Sequence, residues 1–245
     1  MSTIVLITGG NRGLGFAAAR ALARTGAAVV IGARGETAGR EAVAALRAEG
    51  GTADWVELDV TLPTTVQAAA AAVRERYGRL DVLVNNAGVL PEATDTERRE
   101  FADPDIFRHT FETNVLGPVT VTEAFLPLLR ESDAGRIVNV SSTMGSLTDQ
   151  NDPSSPYYAM LVPAYRSSKA ALNSLTVELA KTLRETSIKV TAVCPGFVQT
   201  ELTPINRQQA PLTADQAAQV VLTAATLPAH AESGTFIDAN GPVAW

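Results

Sequence analysis

Short apolar runs alternate with longer segments of helical character along this chain, and this alternation restricts the fold more than any other feature. The runs are rich in Val and Ile and hardly alternate with polar residues, as expected of strands that are covered on both faces. The runs lie at residues 4–7, 28–31, 55–58, 82–84, 137–140, 190–193 and 235–237, and the helical segments lie at 14–25, 36–48, 64–77, 104–130, 164–185 and 213–227.

Strands that alternate with helices form a parallel sheet with helices on both faces, and right-handed crossovers make it doubly wound. We therefore predict an α/β, doubly wound, Rossmann-type sheet of about seven strands. A chain of 245 residues fits one such domain, so a single domain over 1–245 is expected. Ligands of these sheets bind beyond the carboxyl ends of the strands, so functional residues are expected directly after strands.

The first strand runs directly into a glycine-rich turn, Thr8-Gly-Gly-Asn-Arg-Gly-Leu-Gly15, and a helix follows. Gly9, Gly13 and Gly15 allow a tight turn and a close approach of the backbone to a pyrophosphate, which the helix N-terminus favours. The turn is not a P-loop, because no Gly-Lys-Ser/Thr follows. The sequence therefore predicts that a dinucleotide binds here.

Two arginines indicate which dinucleotide is preferred. An enzyme that uses NAD places a carboxylate near the end of the second strand to bind the ribose 2′-hydroxyl. This chain has Ala33 there, followed by Arg34, and Arg12 lies inside the glycine turn. Guanidinium groups suit a 2′-phosphate, so NADP is the preferred cofactor. Glu36 lies close enough in sequence to keep NAD open.

Four further motifs are present, three directly after predicted strands and one, Tyr165–Lys169, in the predicted helix 164–185. They are Asn85-Asn-Ala-Gly88, Ser141-Ser142, Tyr165-Arg-Ser-Ser-Lys169 and Pro195-Gly196. With the glycine turn, in this order, they make the chain resemble the short-chain dehydrogenase/reductase family along nearly its whole length. The carbonyl-reductase-like branch is the most similar.

The resemblance implies a catalytic set of four residues. Tyr165 would be the acid/base, Ser142 would hold the substrate oxygen, and Lys169 would contact the nicotinamide ribose. Asn114 would hold a backbone kink and a water that feeds a proton relay. Asp59 and Val60 would flank the adenine, and no metal is expected. The full set of expected cofactor contacts is Gly9, Asn11, Arg12, Gly13, Leu14, Gly15, Arg34, Asp59, Val60, Asn86, Ala87, Gly88, Tyr165, Lys169, Pro195, Gly196, Val198 and Thr200.

The spacing of Tyr165 and Lys169 has its own chemical meaning. Residues four apart share one face of a helix, and a nearby cation lowers the pKa of a phenol, which is ordinarily near 10. Tyr157 and Tyr158 have no cation four positions later, so Tyr165 is preferred. Neighbouring residues of a strand point to opposite faces, so only one of Ser141 and Ser142 can face the cleft; the resemblance favours Ser142.

The chain departs from the family pattern before the tyrosine. Ser142 and Tyr165 are 23 positions apart, whereas about a dozen is usual in the family. Carbonyl-reductase-like members also carry an insertion here, which can cover the face used for dimerisation. A monomer is therefore as plausible as a homo-oligomer. The insertion is either packed on the body of the protein or a wall of the substrate pocket, which loops 89–103, 143–163 and 196–212 are expected to form.

Composition excludes some functions. A net charge of −6 argues against a nucleic-acid partner, which needs a basic face. No apolar run approaches the ~18 residues of a membrane span. The only cysteine, Cys194, precludes an internal disulfide and fits a reducing compartment, so a cytoplasmic location is expected.

We predict an NADP(H)-dependent oxidoreductase that interconverts a small-molecule carbonyl and an alcohol; a catalytically silent NADP-binding sensor of the same fold is the alternative.

Overall fold

A computed structural model describes residues 2–97 and 99–245 of the chain. Its sheet has the strand order β3-β2-β1-β4-β5-β6-β7-β8. All neighbouring pairs from β3 to β7 are parallel. The strands are β1 (Ile4–Thr8), β2 (Ala28–Ala33), β3 (Thr52–Glu57), β4 (Val82–Asn85), β5 (Arg136–Val140), β6 (Lys189–Val193), β7 (Thr235–Asp238) and β8 (Gly241–Pro242).

The doubly wound α/β fold predicted from the sequence is confirmed, with one strand more than expected. β8 pairs antiparallel with β7 through Ile237 and Pro242, and through Asp238 and Gly241. A strand of two residues has no periodicity to detect, so the sequence pattern did not reveal it.

The core has two layers, one on each face of the sheet. In β1, Val5 and Ile7 pack into one apolar cluster, whereas Ile4 and Leu6 pack into the other. Successive side chains of a strand point to opposite faces, so both sets are apolar and the run shows no alternation. The helices are α1 (Gly13–Arg24), α2 (Glu36–Ala48), α3 (Pro63–Tyr77), α4 (Pro104–Phe111), α5 (Gly117–Leu129), α6 (Leu147–Gln150), α7 (Pro163–Thr182), α8 (Pro204–Gln209) and α9 (Ala214–Ala225).

The single helix predicted over 104–130 is interrupted. A π-helical turn, Glu112–Leu116, separates α4 from α5. Pro118, the second residue of α5, has no N–H, so it cannot donate a helical hydrogen bond to the carbonyl of Asn114. The missing hydrogen bond accounts for the wider, π-helical turn. Such turns are frequent at functional sites.

Two short helices were also not predicted. α6 lies in the insertion and α8 lies in the segment after β6. Each is capped by a hydroxyl: Ser146 accepts a hydrogen bond from the N–H of Asp149, and Thr203 accepts one from the N–H of Asn206. Helices this short show too little periodicity to be recognised. None of the helices in the described part of the chain is both long enough and apolar enough to cross a membrane.

Candidate active site

A cleft of about 690 Å³ opens at the carboxyl ends of the strands. Nearly all of the predicted cofactor contacts line it, as do Ser142, Tyr165 and Lys169. Gly15 and Asn114 do not, because each lies behind the wall and supports it. Other lining residues were not anticipated, among them His109 and Thr113, since one unbroken helix over 104–130 gave no indication of which face meets the cleft.

The glycine turn forms a close-packed cradle at one end of the cleft. Gly9 and Gly13 have φ values of +63° and +53°, in the left-handed region that side chains disfavour. A Cβ atom on Gly15 would lie 2.4 Å from the carbonyl oxygen of Gly9 and 2.5 Å from the Nδ2 atom of Asn86. Only glycine fits this position, because any side chain would displace the turn.

The N-terminus of α1 is open toward the same cradle. Arg12 stands at the N-cap position and makes no side-chain cap, and the first turn of the helix contains no acidic residue. The first N–H groups of a helix have no partner within the helix, and its N-terminus attracts anions. The cradle and this helix end therefore fit a pyrophosphate.

Arg12 and Arg34 line the cleft beside the glycine turn. Neither guanidinium forms an ion pair with any residue that the structure describes. Glu36, the residue that kept NAD open, accepts a 2.7 Å hydrogen bond from the Nε atom of Arg40 and does not line the cleft. The guanidinium groups of Arg12 and Arg34 thus face this end of the cleft, whereas the Glu36 carboxylate binds Arg40 outside it.

Thr8 joins the glycine turn to the loop after β4, a role that the sequence analysis missed. Its Oγ1 atom accepts hydrogen bonds of 3.0 Å from the backbone N–H groups of both Asn86 and Ala87. The Nδ2 atom of Asn86 donates to the carbonyl of Thr8 at 2.8 Å. These bonds fix the two loops that form the floor of the cleft.

Asp59 and Val60 follow β3 and also line the cleft. The Oδ1 atom of Asp59 accepts hydrogen bonds from the N–H and the hydroxyl of Thr61, at 2.9 and 2.7 Å. Val60 packs closely against Gly117, where a Cβ atom would lie 2.8 Å from Val60 Cγ2. The first residues of α5 therefore buttress this part of the wall.

Asn114 lies in the π-helical turn and is 1% exposed. Its Oδ1 atom accepts from the N–H of Val89 at 2.9 Å, and its Nδ2 atom donates to the carbonyl of Val89 at 3.0 Å. The same amide also donates to the Oγ atom of Ser168 at 3.1 Å. One side chain thus joins the loop after β4 to the helix that carries Tyr165.

The two serines after β5 have different partners. The Oγ atom of Ser141 donates to the Oδ1 atom of Asn173 on α7 at 2.6 Å. The Oγ atom of Ser142 accepts from the N–H of Met144 at 3.1 Å, and this hydroxyl lies close enough to the Tyr165 phenol to act on its pKa. Ser142 is therefore the serine beside the phenol.

The Tyr165 phenol and the Lys169 ammonium are both buried. Burial raises the pKa of Tyr165 well above its ordinary value, and the nearby Ser142 hydroxyl opposes that rise. This direction is opposite to the expectation that Lys169 lowers it: desolvation of the phenol dominates. Burial also lowers the pKa of Lys169 to about 8.

The insertion covers Tyr165. Met144, Val162, Leu90 and Tyr157 form a small apolar cluster around the tyrosine. Arg166, the next residue of α7, donates a hydrogen bond to the carbonyl of Tyr157. Part of the insertion therefore packs on the helix that carries Tyr165, as the first of the two interpretations expects.

The segment after β6 lies against the glycine turn. A Cβ atom on Gly13 would lie 3.3 Å from Thr200 Cγ2. Gly196 has a φ of +80° and lies close to Leu212, whose carbonyl accepts a 2.8 Å hydrogen bond from the N–H of Gln199. This segment lines the cleft through Pro195, Gly196, Val198 and Thr200.

Comparisons with known proteins agree with this geometry. The family model described as short chain dehydrogenase matches residues 3–211. The short-chain dehydrogenase anuI of Penicillium roqueforti is 38% identical over 91% of this chain and 88% of its own length. The (+)-neomenthol dehydrogenase of Arabidopsis thaliana is 34% identical over 94% of each chain.

A solved structure shows the same arrangement of elements. The NADPH-bound carbonyl reductase from chicken fatty liver superposes with a TM-score of 0.85 at 28% identity, over 100% of both chains. The glycine cradle, the loop after β4 and the paired tyrosine and lysine thus occur together in a chain that matches the family along most of its length. This chain belongs to the short-chain dehydrogenase/reductase family of NAD(P)-dependent oxidoreductases.

Proposed function

We propose that the protein interconverts a carbonyl compound and an alcohol with NADP(H), and that Tyr165 transfers the proton. The observation that carries this proposal is the meeting of three side chains at one end of the cleft. The Ser142 hydroxyl lies beside the Tyr165 phenol and acts to lower its pKa, and the Lys169 ammonium lies 5.6 Å from the centre of the tyrosine ring.

The chemistry assigns a task to each of these groups. When bound, a reduced nicotinamide supplies hydride to the carbonyl carbon. Negative charge then develops on the carbonyl oxygen, where the Ser142 hydroxyl donates a hydrogen bond and the Tyr165 phenol donates its proton. A phenol whose pKa is raised by burial is fully protonated at neutral pH, so it is ready to act as the acid.

Lys169 stabilises the phenolate that this proton transfer leaves behind. With a pKa of about 8, its amine is mostly protonated at neutral pH and carries the charge that stabilises a phenolate. Its Nζ atom donates a 2.9 Å hydrogen bond to the carbonyl of Val140, which holds it at the end of β5. The ribose hydroxyls of the cofactor are the proposed bridge between the lysine and the tyrosine.

NADP preference is part of the proposal. Arg12 and Arg34 line the cleft without an ion pair among the described residues, and a 2′-phosphate accepts charge-assisted hydrogen bonds from such groups. The similar carbonyl reductase was solved with NADPH bound, which supports the same choice.

One domain would carry both the cofactor and the substrate, with the substrate pocket formed by loops 89–103, 143–163 and 196–212. The side chains packed around Tyr165 are apolar or aromatic, which favours an uncharged carbonyl compound. The relatives named after neomenthol and after carbonyl reductase support this substrate class, without indicating which compound is reduced.

A substrate panel tests the proposal. Purified protein would be incubated with NADPH or NADH and a panel of aldehydes, ketones (menthone included) and quinones, and cofactor absorbance would be followed. We expect oxidation of NADPH with several neutral carbonyl compounds and slower oxidation of NADH. Binding of NADPH without any turnover would instead support the silent sensor.

A further inference from the structure

The helix that carries Tyr165 has no cap of its own. α7 begins at Pro163, and the N-cap position is held by Val162, whose apolar side chain makes no capping hydrogen bond. The first N–H groups of a helix need an outside acceptor. Because Pro163 has no N–H and the N–H of Arg166 donates to the carbonyl of Val162 at 3.0 Å, the N–H groups of Ala164 and Tyr165 are the two that require one.

Glu92 supplies that acceptor from another part of the chain. Its Oε1 atom accepts from the N–H of Ala164 at 2.9 Å, and its Oε2 atom accepts from the N–H of Tyr165 at 2.8 Å. Both carboxylate oxygens are therefore used on the first turn of α7. A carboxylate at a helix N-terminus is further stabilised by the positive end of the helix dipole.

Glu92 also belongs to a segment that is fixed to the active site at a second point. It lies in a short 3₁₀ turn, Pro91–Thr94, just beyond Val89, whose N–H and carbonyl are both held by the side chain of Asn114. The Glu92 side chain thus links this segment directly to the backbone N–H of Tyr165.

We propose that Glu92 is a positioning residue for the reaction: its carboxylate holds the first turn of α7 so that the Tyr165 phenol stays in register with Ser142. The inference rests on the proposed function, because it assumes that Tyr165 transfers the proton. It assigns to the 89–103 loop a second role besides that of a pocket wall.

The first test compares Glu92→Gln with the matched control Glu97→Gln. Glu97 lies in the same loop and its side chain is 76% exposed; among the residues that the structure describes, its carboxylate pairs only with the side chain of Arg99. Glutamine keeps the length of Glu92 but turns an NH₂ group toward a backbone N–H, so one hydrogen bond becomes a repulsion. The readouts are the single-turnover rate of NADPH oxidation with the panel carbonyl reduced fastest, and the Kd of NADPH.

Misplacing a catalytic group by about 1 Å costs on the order of 100-fold in rate, so we expect Glu92→Gln to slow hydride transfer by roughly 10-fold or more. The Kd of NADPH should stay within about 2-fold, because most of the expected cofactor contacts lie outside α7, and Glu97→Gln should behave as the wild type. A residue that merely stabilises the fold would lower the melting temperature and leave the turnover of the folded protein unchanged; that result would overturn the proposal.

A rescue experiment isolates the cap. In Glu92→Ala, the further change Val162→Thr places a hydroxyl at the N-cap position, from which threonine side chains accept hydrogen bonds from the N–H groups two and three residues later. Those donors are Ala164 and Tyr165. Threonine has nearly the shape of valine, so the packing around Tyr165 changes little. Partial recovery of the hydride-transfer rate is expected, together with slower amide exchange in residues 164–165.

Amide exchange also separates this inference from the proposed function. If the wild type turns over no carbonyl compound, the proposed function fails, and the positioning role falls with it. The exchange rates of the Ala164 and Tyr165 amides still report whether Glu92 caps α7. Unchanged exchange in Glu92→Ala, or faster exchange with an unchanged turnover rate, would contradict the proposal directly.

Discussion

The Nζ atom of Lys169 lies 5.6 Å from the centre of the Tyr165 ring and donates a 2.9 Å hydrogen bond to the carbonyl of Val140. This places an ammonium group beside the phenol but anchors it to the backbone at the end of β5. The position of the charge is therefore set by the sheet, and not by the flexible lysine side chain. A fixed charge needs no reorganisation during the reaction, which is how preorganised groups accelerate catalysis.

Lys169 should make the stability of the protein depend on pH. Its pKa is lowered to about 8 by burial, from an unfolded value near 10.4. Between these values the unfolded chain binds more protons than the folded one, so stability rises with pH in this window. Relative to Lys169→Met, the free energy of unfolding of the wild type should increase by about 2 kcal/mol between pH 7.5 and 9.5.

Urea unfolding of both proteins from pH 7.5 to 9.5 would measure this difference. Loss of the hydrogen bond to Val140 changes the free energy of unfolding of the variant by the same amount at every pH. Only the slope of this free energy against pH therefore reports the pKa of Lys169. Parallel curves for the two proteins would contradict the lowered pKa.

Arg34 should discriminate between the two cofactors. Arg34→Ala removes a charge-assisted hydrogen bond to the 2′-phosphate, and such bonds contribute about 1.5–3 kcal/mol, so the Kd of NADPH should rise roughly 10- to 100-fold. The Kd of NADH, which has no 2′-phosphate, should change little. Fluorescence titration of both cofactors provides the measurement.

Arg24→Ala is the control for Arg34, since Arg24 is 66% exposed and pairs with Glu49 away from the cleft. It should affect neither cofactor. Equal weakening of NADPH and NADH by Arg34→Ala would disprove the assignment of this side chain to the 2′-phosphate.

Removal of the Asn114 side chain should lower the free energy of unfolding, even in the absence of substrate. Asn114→Ala deletes the three hydrogen bonds that its amide makes with Val89 and Ser168. Groups left without partners cost about 1–3 kcal/mol each, so a loss of about 2–4 kcal/mol in the free energy of unfolding is expected.

Chemical denaturation would measure this loss, with Asn240→Ala as the control. The amide of Asn240 makes one 3.4 Å hydrogen bond in an exposed turn, and such surface changes cost within about 0.5 kcal/mol. If both alanine variants lose the same stability, Asn114 does not hold the loop after β4.

The sheet and the glycine cradle were predictable from the sequence for a common reason. A strand buried on both faces must be apolar throughout, and a turn without room for a Cβ atom must contain glycine, so each constraint acts on residue type. Gly15 shows this directly, since its position admits no side chain. The pairing of Tyr165 with Lys169 likewise follows from helical spacing.

Features that depend on distant partners were not predictable. The cap of α7 is a carboxylate 72 positions before Ala164, and no local pattern connects the two. The π-helical turn depends on how Pro118 is accommodated in a helix that otherwise continues. The raised pKa of Tyr165 depends on burial by the insertion, whereas the spacing of Tyr165 and Lys169 revealed only the nearby cation.

The central claim, that Tyr165 transfers the proton, is tested most directly by Tyr165→Phe. Phenylalanine retains the ring and the apolar packing but has no hydroxyl. With the panel carbonyl that the wild type reduces fastest, the variant should lose on the order of 100-fold or more in kcat, while its Kd for NADPH stays within a few-fold of the wild-type value. Reduction of the carbonyl by Tyr165→Phe at the wild-type rate would contradict the account.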